Sequence, residues 1–259
     1  MKNLQSKLLV ITATILLAVI LALRIMDNIT YKVSSPVTVA KAKNNPCPSI
    51  SNAVVSYTET FADINMELAL VEGGMTDSFY ISIYEISQSQ WEKVMGTSIS
   101  QQREKANCRR SLYGEGDDYP MYYASWEEAT EFCRLLSNKT GKNYMLPTEA
   151  QWEYAARGGK IVKETQYAGS NNIDSVAWFA PNSGNSTHPC GSKCANALGI
   201  YDMSGNVWEW CQDLSDNSSR VVKGGSWGNL SSDCRIANRR YVPQYTRSYL
   251  IGFRVVLLP

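Results

Sequence analysis

Residues 221–257 read VVKGGSWGNLSSDCRIANRRYVPQYTRSYLIGFRVVL, and the glycines, tryptophan and cysteine in this stretch decide how the whole chain is read. Residues 221–223 and 253–257 are short apolar runs with strand character. Between them lie Gly224, Gly225, Ser226 and Trp227, then one cysteine, Cys234, then a run rich in tyrosine. A lone cysteine in a loop is by default a small buried hydrophobe rather than a nucleophile. Residues 224–228, Gly-Gly-Ser-Trp-Gly, match the letters G-x-S-x-G, but no helical pattern follows Ser226 to make the strand-to-helix elbow that would expose a hydrolytic serine, so the stretch is read as a packing motif.

Working outward, the chain of 259 residues changes character from end to end. Lys2 and Lys7 precede an uncharged, mainly apolar run over residues 8–23, closed by Arg24. At ~1.5 Å per residue the run is near the short limit for a spanning helix, which Ile25 and Met26 extend while Arg24 snorkels. No A-x-A-like cleavage pattern follows, so residues 1–26 read as a retained signal anchor. The lysines hold the N-terminus in the cytoplasm and place the remainder outside it, in a bacterial periplasm or at a cell surface. Residues 27–53, polar and carrying Pro36, Pro46 and Pro48, read as a linker. Residues 54–259 are ample for one domain with its own core. The formal net charge is +1 and basic residues are scattered, which argues against a nucleic-acid partner.

Three helices announce themselves by a hydroxyl cap with Glu or Gln three residues on: Ser87 with Gln90, Ser125 with Glu128, Thr148 with Gln151. In the second, Ala129, Phe132, Cys133 and Leu136 form one apolar stripe, so Cys133 is expected in the core. The third stops at Gly158 and Gly159. Phe79, Ile81 and Ile83 alternate as one face of a strand. Much of the rest is glycine, asparagine and serine, so loops should be long and tryptophans should carry the packing.

Gly224-Gly225-Ser226-Trp227 with Gly252-Phe253-Arg254 resembles the signature end of the formylglycine-generating enzyme, or sulfatase-modifying-factor, superfamily. Residues 146–159 and 196–213, Tyr84-Glu85 and the Ser125-Trp126 helix start resemble the same family in the same order. The resemblance implies an α+β, compact, loop-rich fold related to C-type lectins, with little regular secondary structure, preceded here by one transmembrane helix. Fold alone does not fix function. In the copper-dependent members two cysteines lie five residues apart in the C-terminal loop. The second matches Cys234, but the first falls on Asn229, and an amide oxygen is a hard, weak donor for Cu(I). Copper is therefore not expected.

The family's Gly-Asn-x-Trp-Glu turn is present at residues 205–209, and the resemblance implies a structural calcium held by Asn206, Val207 and Glu209. The alternative is that Asn206 caps a turn and Glu209 makes a buried hydrogen bond or an ion pair with an arginine. With a single histidine, His188, the histidine-based iron site of related enzymes is not expected, and a solvated or hydrogen-bonded loop imidazole is the expectation. Outside the cytoplasm, Cys190 with Cys194 and Cys47 with Cys108 are the expected disulfides. Cys211 with Cys234 is a further candidate, and the alternative for Cys190 is a metal ligand with an incomplete set.

Two function classes follow. The first is a binding or scaffold module for an extracytoplasmic protein or small ligand, with a surface formed by Trp227, Asn229, Tyr241, Gln244, Tyr245 and Tyr249. Aromatic rings and amides give contact area at low entropic cost. The second is an oxidative maturation enzyme acting on an extracytoplasmic peptide through Cys234.

Overall fold

The computed structural model describes residues 56–61, 64–161, 164–215 and 218–259. The apolar run at residues 8–23, the linker and Cys47 lie outside the described residues. Among those described, no helix is long and apolar enough to cross a membrane.

All three expected caps form, each with the reciprocal pair of hydrogen bonds, and they start α1 (Gln88–Met95), α3 (Trp126–Thr140) and α4 (Glu149–Ala156). A fourth box, Ser98 with Gln101, starts α2 (Ile99–Lys105). Asn172 caps the short α5 (Ile173–Val176). Helix α3 buries Ala129, Phe132, Cys133 and Leu136, the stripe read from its spacing.

Strands build two sheets. The first, in the order β1-β2-β3-β9-β4, contains β1 (Ser56–Phe61), β2 (Ile64–Val71), β3 (Phe79–Ser82), β4 (Asn143–Met145) and β9 (Val256–Leu258), all antiparallel. Val256 and Leu257 thus pair with Ile81 and Tyr80 on one side and with Met145 and Tyr144 on the other. The second sheet, β7-β6-β5-β8, contains β5 (Trp208–Leu214), β6 (Ser219–Lys223), β7 (Arg239–Pro243) and β8 (Ile251–Gly252). Here β5 and β8 run parallel, and β7 is a terminal strand.

Tryptophans do carry the packing: Trp91, Trp152, Trp208 and Trp210 are among the largest fully buried side chains. Phe253 of the Gly-Phe-Arg triplet lies edge-on to Trp91 at 6.0 Å and to Phe132 at 5.3 Å, between rings from α1 and α3. Arg254 is thereby delivered, in the turn between β8 and β9, to the interior.

Candidate functional site

Arg254 and Glu209 are both fully buried and face each other as a fork, with Nε–Oε2 at 2.7 Å and Nη2–Oε1 at 2.8 Å. The remaining N–H groups of the guanidinium donate to the carbonyls of Ser82 (2.9 Å), Ile83 (3.3 Å) and Tyr201 (2.8 Å). All five donors of the arginine therefore have acceptors. Glu209 Oε2 also accepts from Trp152 Nε1 at 2.6 Å. Burial works against the charge of Arg254, but Glu209, Glu85 and Asp202 outweigh it and raise its pKa. An ion pair so enclosed is a strut: breaking it strands a charge in a dry interior.

The turn at residues 205–209 is held by a residue far away in sequence. Asn206 Nδ2 donates to Glu85 Oε2 at 2.6 Å, and the Val207 N–H donates to Glu85 Oε1 at 3.1 Å. Asn206 Oδ1 accepts from the His188 N–H at 3.0 Å. Gly205 allows the turn, with φ +81 and the Trp178 carbonyl 2.3 Å from where a Cβ would stand. Calcium needs several uncommitted oxygens. The Glu209 oxygens are taken by guanidinium and indole donors, the Asn206 oxygen by an amide, and Arg254 supplies the positive charge. The side-chain oxygens of Asn206 and Glu209 are thus engaged within the protein, Asn206 in a turn and Glu209 in an ion pair with an arginine. Among the described residues no group of three His, Cys, Asp or Glu is placed to hold a metal.

Two further acids, Glu85 and Asp202, complete this centre. Burial, then Asp202 and Glu209, push Glu85 well above the usual carboxylate range. Asp202, with φ +57, accepts from the Gly191 N–H at 2.6 Å through Oδ2, while Oδ1 is buried with no protein partner. Burial pushes it up to about 6, against the Gly191 hydrogen bond and Arg254. A cleft of ≈ 370 Å³ opens beside Glu85, lined also by Glu67, Tyr84, Asp118 and Cys190.

Cys190 turns its thiol to Glu85 Oε2 at 3.6 Å and is free, so the expected Cys190–Cys194 bridge does not form. Cys194 is disulfide-bonded, but it packs with a different apolar cluster. Cys108 is likewise a free thiol, accepting from Tyr123 Oη at 3.3 Å, which overturns the pairing with Cys47. Cys211 and Cys234 are free and sit in separate clusters. His188 stacks on Trp178 at 3.7 Å with Nε2 2.8 Å from the Ser183 carbonyl, the hydrogen-bonded loop role expected of it.

In the C-terminal loop, Cys234 has no exposed surface and packs against Gly225, whose φ is +76 and whose added Cβ would lie 2.7 Å from the sulfur. Burial, then the charge of Asp233, push the thiol up to about 12. Such a thiol stays protonated and inert at neutral pH. Asn229 is a hydrogen-bond hub: its Oδ1 accepts from Trp208 Nε1 at 2.8 Å and Ser226 Oγ at 2.5 Å.

The six residues read as a ligand surface divide. Trp227 is 5% exposed, donates to the Tyr249 carbonyl at 3.2 Å, and packs with half-buried Tyr249 around the Tyr113 ring in tilted contacts. Gln244 anchors backbone and Arg220, its carbonyl accepting from the Trp126 N–H at 2.9 Å. These three, with Asn229, hold the loop together because each aromatic or amide found an internal partner. Tyr241 and Tyr245, 53% and 64% exposed, are left as the open surface.

The model of the sulfatase-modifying factor enzyme 1-like domain matches residues 58–258. Chaperone protein LppX of Paenibacillus barcinonensis is 32% identical over 63% of this chain and 79% of its own length. The inactive C-alpha-formylglycine-generating enzyme 2 of Bos taurus is 30% identical over 53% of the chain, and the formylglycine-generating enzyme of Streptomyces coelicolor is 29% identical over 59%. The chain spans about half the length of these last two, 50% and 56%. Treponema denticola variable protein 1 has the same fold, with a TM-score of 0.66 and 24% identity over 79% of this chain and 99% of its own.

Proposed function

We propose that this chain, which belongs to the sulfatase-modifying-factor family, is a binding or scaffold module and not a copper-dependent formylglycine oxidase. The observation that carries the reading is the pair Asn229 and Cys234. The first is an amide engaged by Trp208 and Ser226, and the second is a thiol without solvent access. A Cu(I) centre needs two soft, deprotonated sulfurs within reach, and this loop offers one that burial keeps protonated. Two relatives point the same way, one named a chaperone and one named an inactive formylglycine-generating enzyme. The module takes an extracytoplasmic protein or small ligand, and the apolar run at residues 8–23 anchors it to a membrane. The competing reading, an oxidative maturation enzyme working through Cys234, asks for an accessible thiolate.

The test is aerobic incubation of the full chain in detergent with copper and a Cys-x-Pro-x-Arg peptide. The peptide mass should stay unchanged. A mass loss matching conversion of the cysteine to an aldehyde, abolished by Cys234→Ser, would sink the proposal. In the same preparation Cys234 should resist alkylation until the protein is unfolded.

A further inference from the structure

We propose that the outer edge of β7 is a docking strand for an extended, acidic segment of a partner protein; this rests on the binding-module reading and names the partner's chemistry. The ladder phase comes first. The Gln244 N–H donates to the Ser218 carbonyl at 2.8 Å, and the register places Val242 opposite Arg220 and Arg240 opposite Val222. Antiparallel pairs alternate between bonded and non-bonded, so Arg240 and Val242 spend their backbone groups on β6. Arg239 and Tyr241 fall in the opposite phase and turn N–H and C=O toward the free edge. Pro243 shares that outward phase, where β6 asks no donor of it.

Charge and apolar surface then select the occupant. Arg239 and Arg240 are exposed on the two faces of the strand, each with one acidic partner among the described residues: Arg239 Nη1 donates to Glu149 at 2.9 Å and Arg240 Nη2 to Asp233 at 2.8 Å. Each guanidinium has five N–H groups, so donors remain for carboxylates on a neighbouring strand. Arg240 lies over the Trp208 ring at 5.2 Å, which fixes its plane. Charges and a proline also protect sheet edges from chance pairing. A merely protected edge, however, would not gather apolar surface. Of the six large hydrophobic side chains exposed among the described residues, two are here: Tyr241 in the strand and Tyr245 just after it. An extended segment would take main-chain bonds from Arg239 and Tyr241, cover the tyrosines with its apolar side chains, and meet an arginine on either face with its acidic ones.

The experiment uses the full chain in detergent and a fluorescein-labelled peptide repeating Glu-Glu-Val-Val, which puts glutamate and valine on both faces of an extended strand, followed by anisotropy. The peptide should bind, weaken as salt is raised, and bind roughly tenfold more weakly to the R239E/R240E variant. N-methylation of the backbone nitrogens along one edge of the peptide should abolish binding; methylation along the other should not. The melting temperature of R239E/R240E checks that the variant is folded. Equal binding of both methylated peptides, unchanged binding to the variant, or equal binding of a lysine–valine peptide would each overturn the docking strand. So would a salt-sensitive dimer of the chain that Tyr241→Pro dissolves, because the edge would then belong to a second copy. Failure here leaves the unchanged mass of the Cys-x-Pro-x-Arg peptide, and the binding-module reading with it, untouched.

Discussion

The centre around Arg254 and the edge at β7 both owe their character to arginine, and they use it in opposite ways. At the centre, five N–H groups meet five acceptors with no solvent access. At the edge, Arg239 and Arg240 keep most of their donors and stand exposed beside Tyr241 and Tyr245. The difference teaches that the recognisable motifs, Gly-Asn-x-Trp-Glu and Gly-Phe-Arg, are architecture here. Capacity for contact lies in the less regular sequence between them.

The largest expected effect breaks the centre. Arg254→Met leaves the Glu209 carboxylate buried beside Trp152 with no countercharge, and should cost about 3–5 kcal/mol in urea unfolding. A loss no greater than a surface substitution would mean that the pair is not a strut. Asp202→Asn is next. In the fold the pKa of Asp202 is raised, so its protonated form is favoured; that contribution is whole below the ordinary carboxylate value and is lost as pH climbs through about 6. The wild-type thermal midpoint should therefore fall between about pH 5 and about pH 8, and the asparagine variant should show a smaller fall. Glu85, shifted in the same direction, keeps some of the decline in place. An unchanged pH profile would remove Asp202 from the centre's electrostatics. The smallest effect belongs to the edge: Tyr241→Ala and Tyr245→Ala should change stability by within about 0.5 kcal/mol, read from urea midpoints. A larger loss would make these tyrosines part of the packing, like Trp227 and Tyr249.

What was legible in the sequence follows the range over which each signal acts. Capping boxes are local, and those at Ser87, Ser125 and Thr148 form as spaced; Ser98 with Gln101 carries the same signal in a stretch too polar to suggest a helix. Strand β2, INMELALV, hides because burial of Leu68 and Ala69 in succession blurs its alternation. The fold was readable from motif order alone. The site was less so: Glu85 meets Asn206 across 121 positions, and no local pattern announces that pairing. Nor could spacing separate Trp227 from Tyr245, since both lie in loop sequence and only Trp227 packs against another ring. The cysteines misled for the same reason, as Cys190 and Cys194 are near in sequence but point into different surroundings.

The position of β9 sets the order in which the molecule can be made. Residues 256–258 wedge between β3 and β4 and join two segments that share no direct ladder. A chain growing from its N-terminus would have to hold both strands unpaired on that side until residues 256–258 emerged. Arg254, two positions earlier, arrives in the same moment. The first sheet of this domain can therefore close only after residues 254–258 are available, and a nascent chain halted short of residue 254 should be an open substrate for proteases.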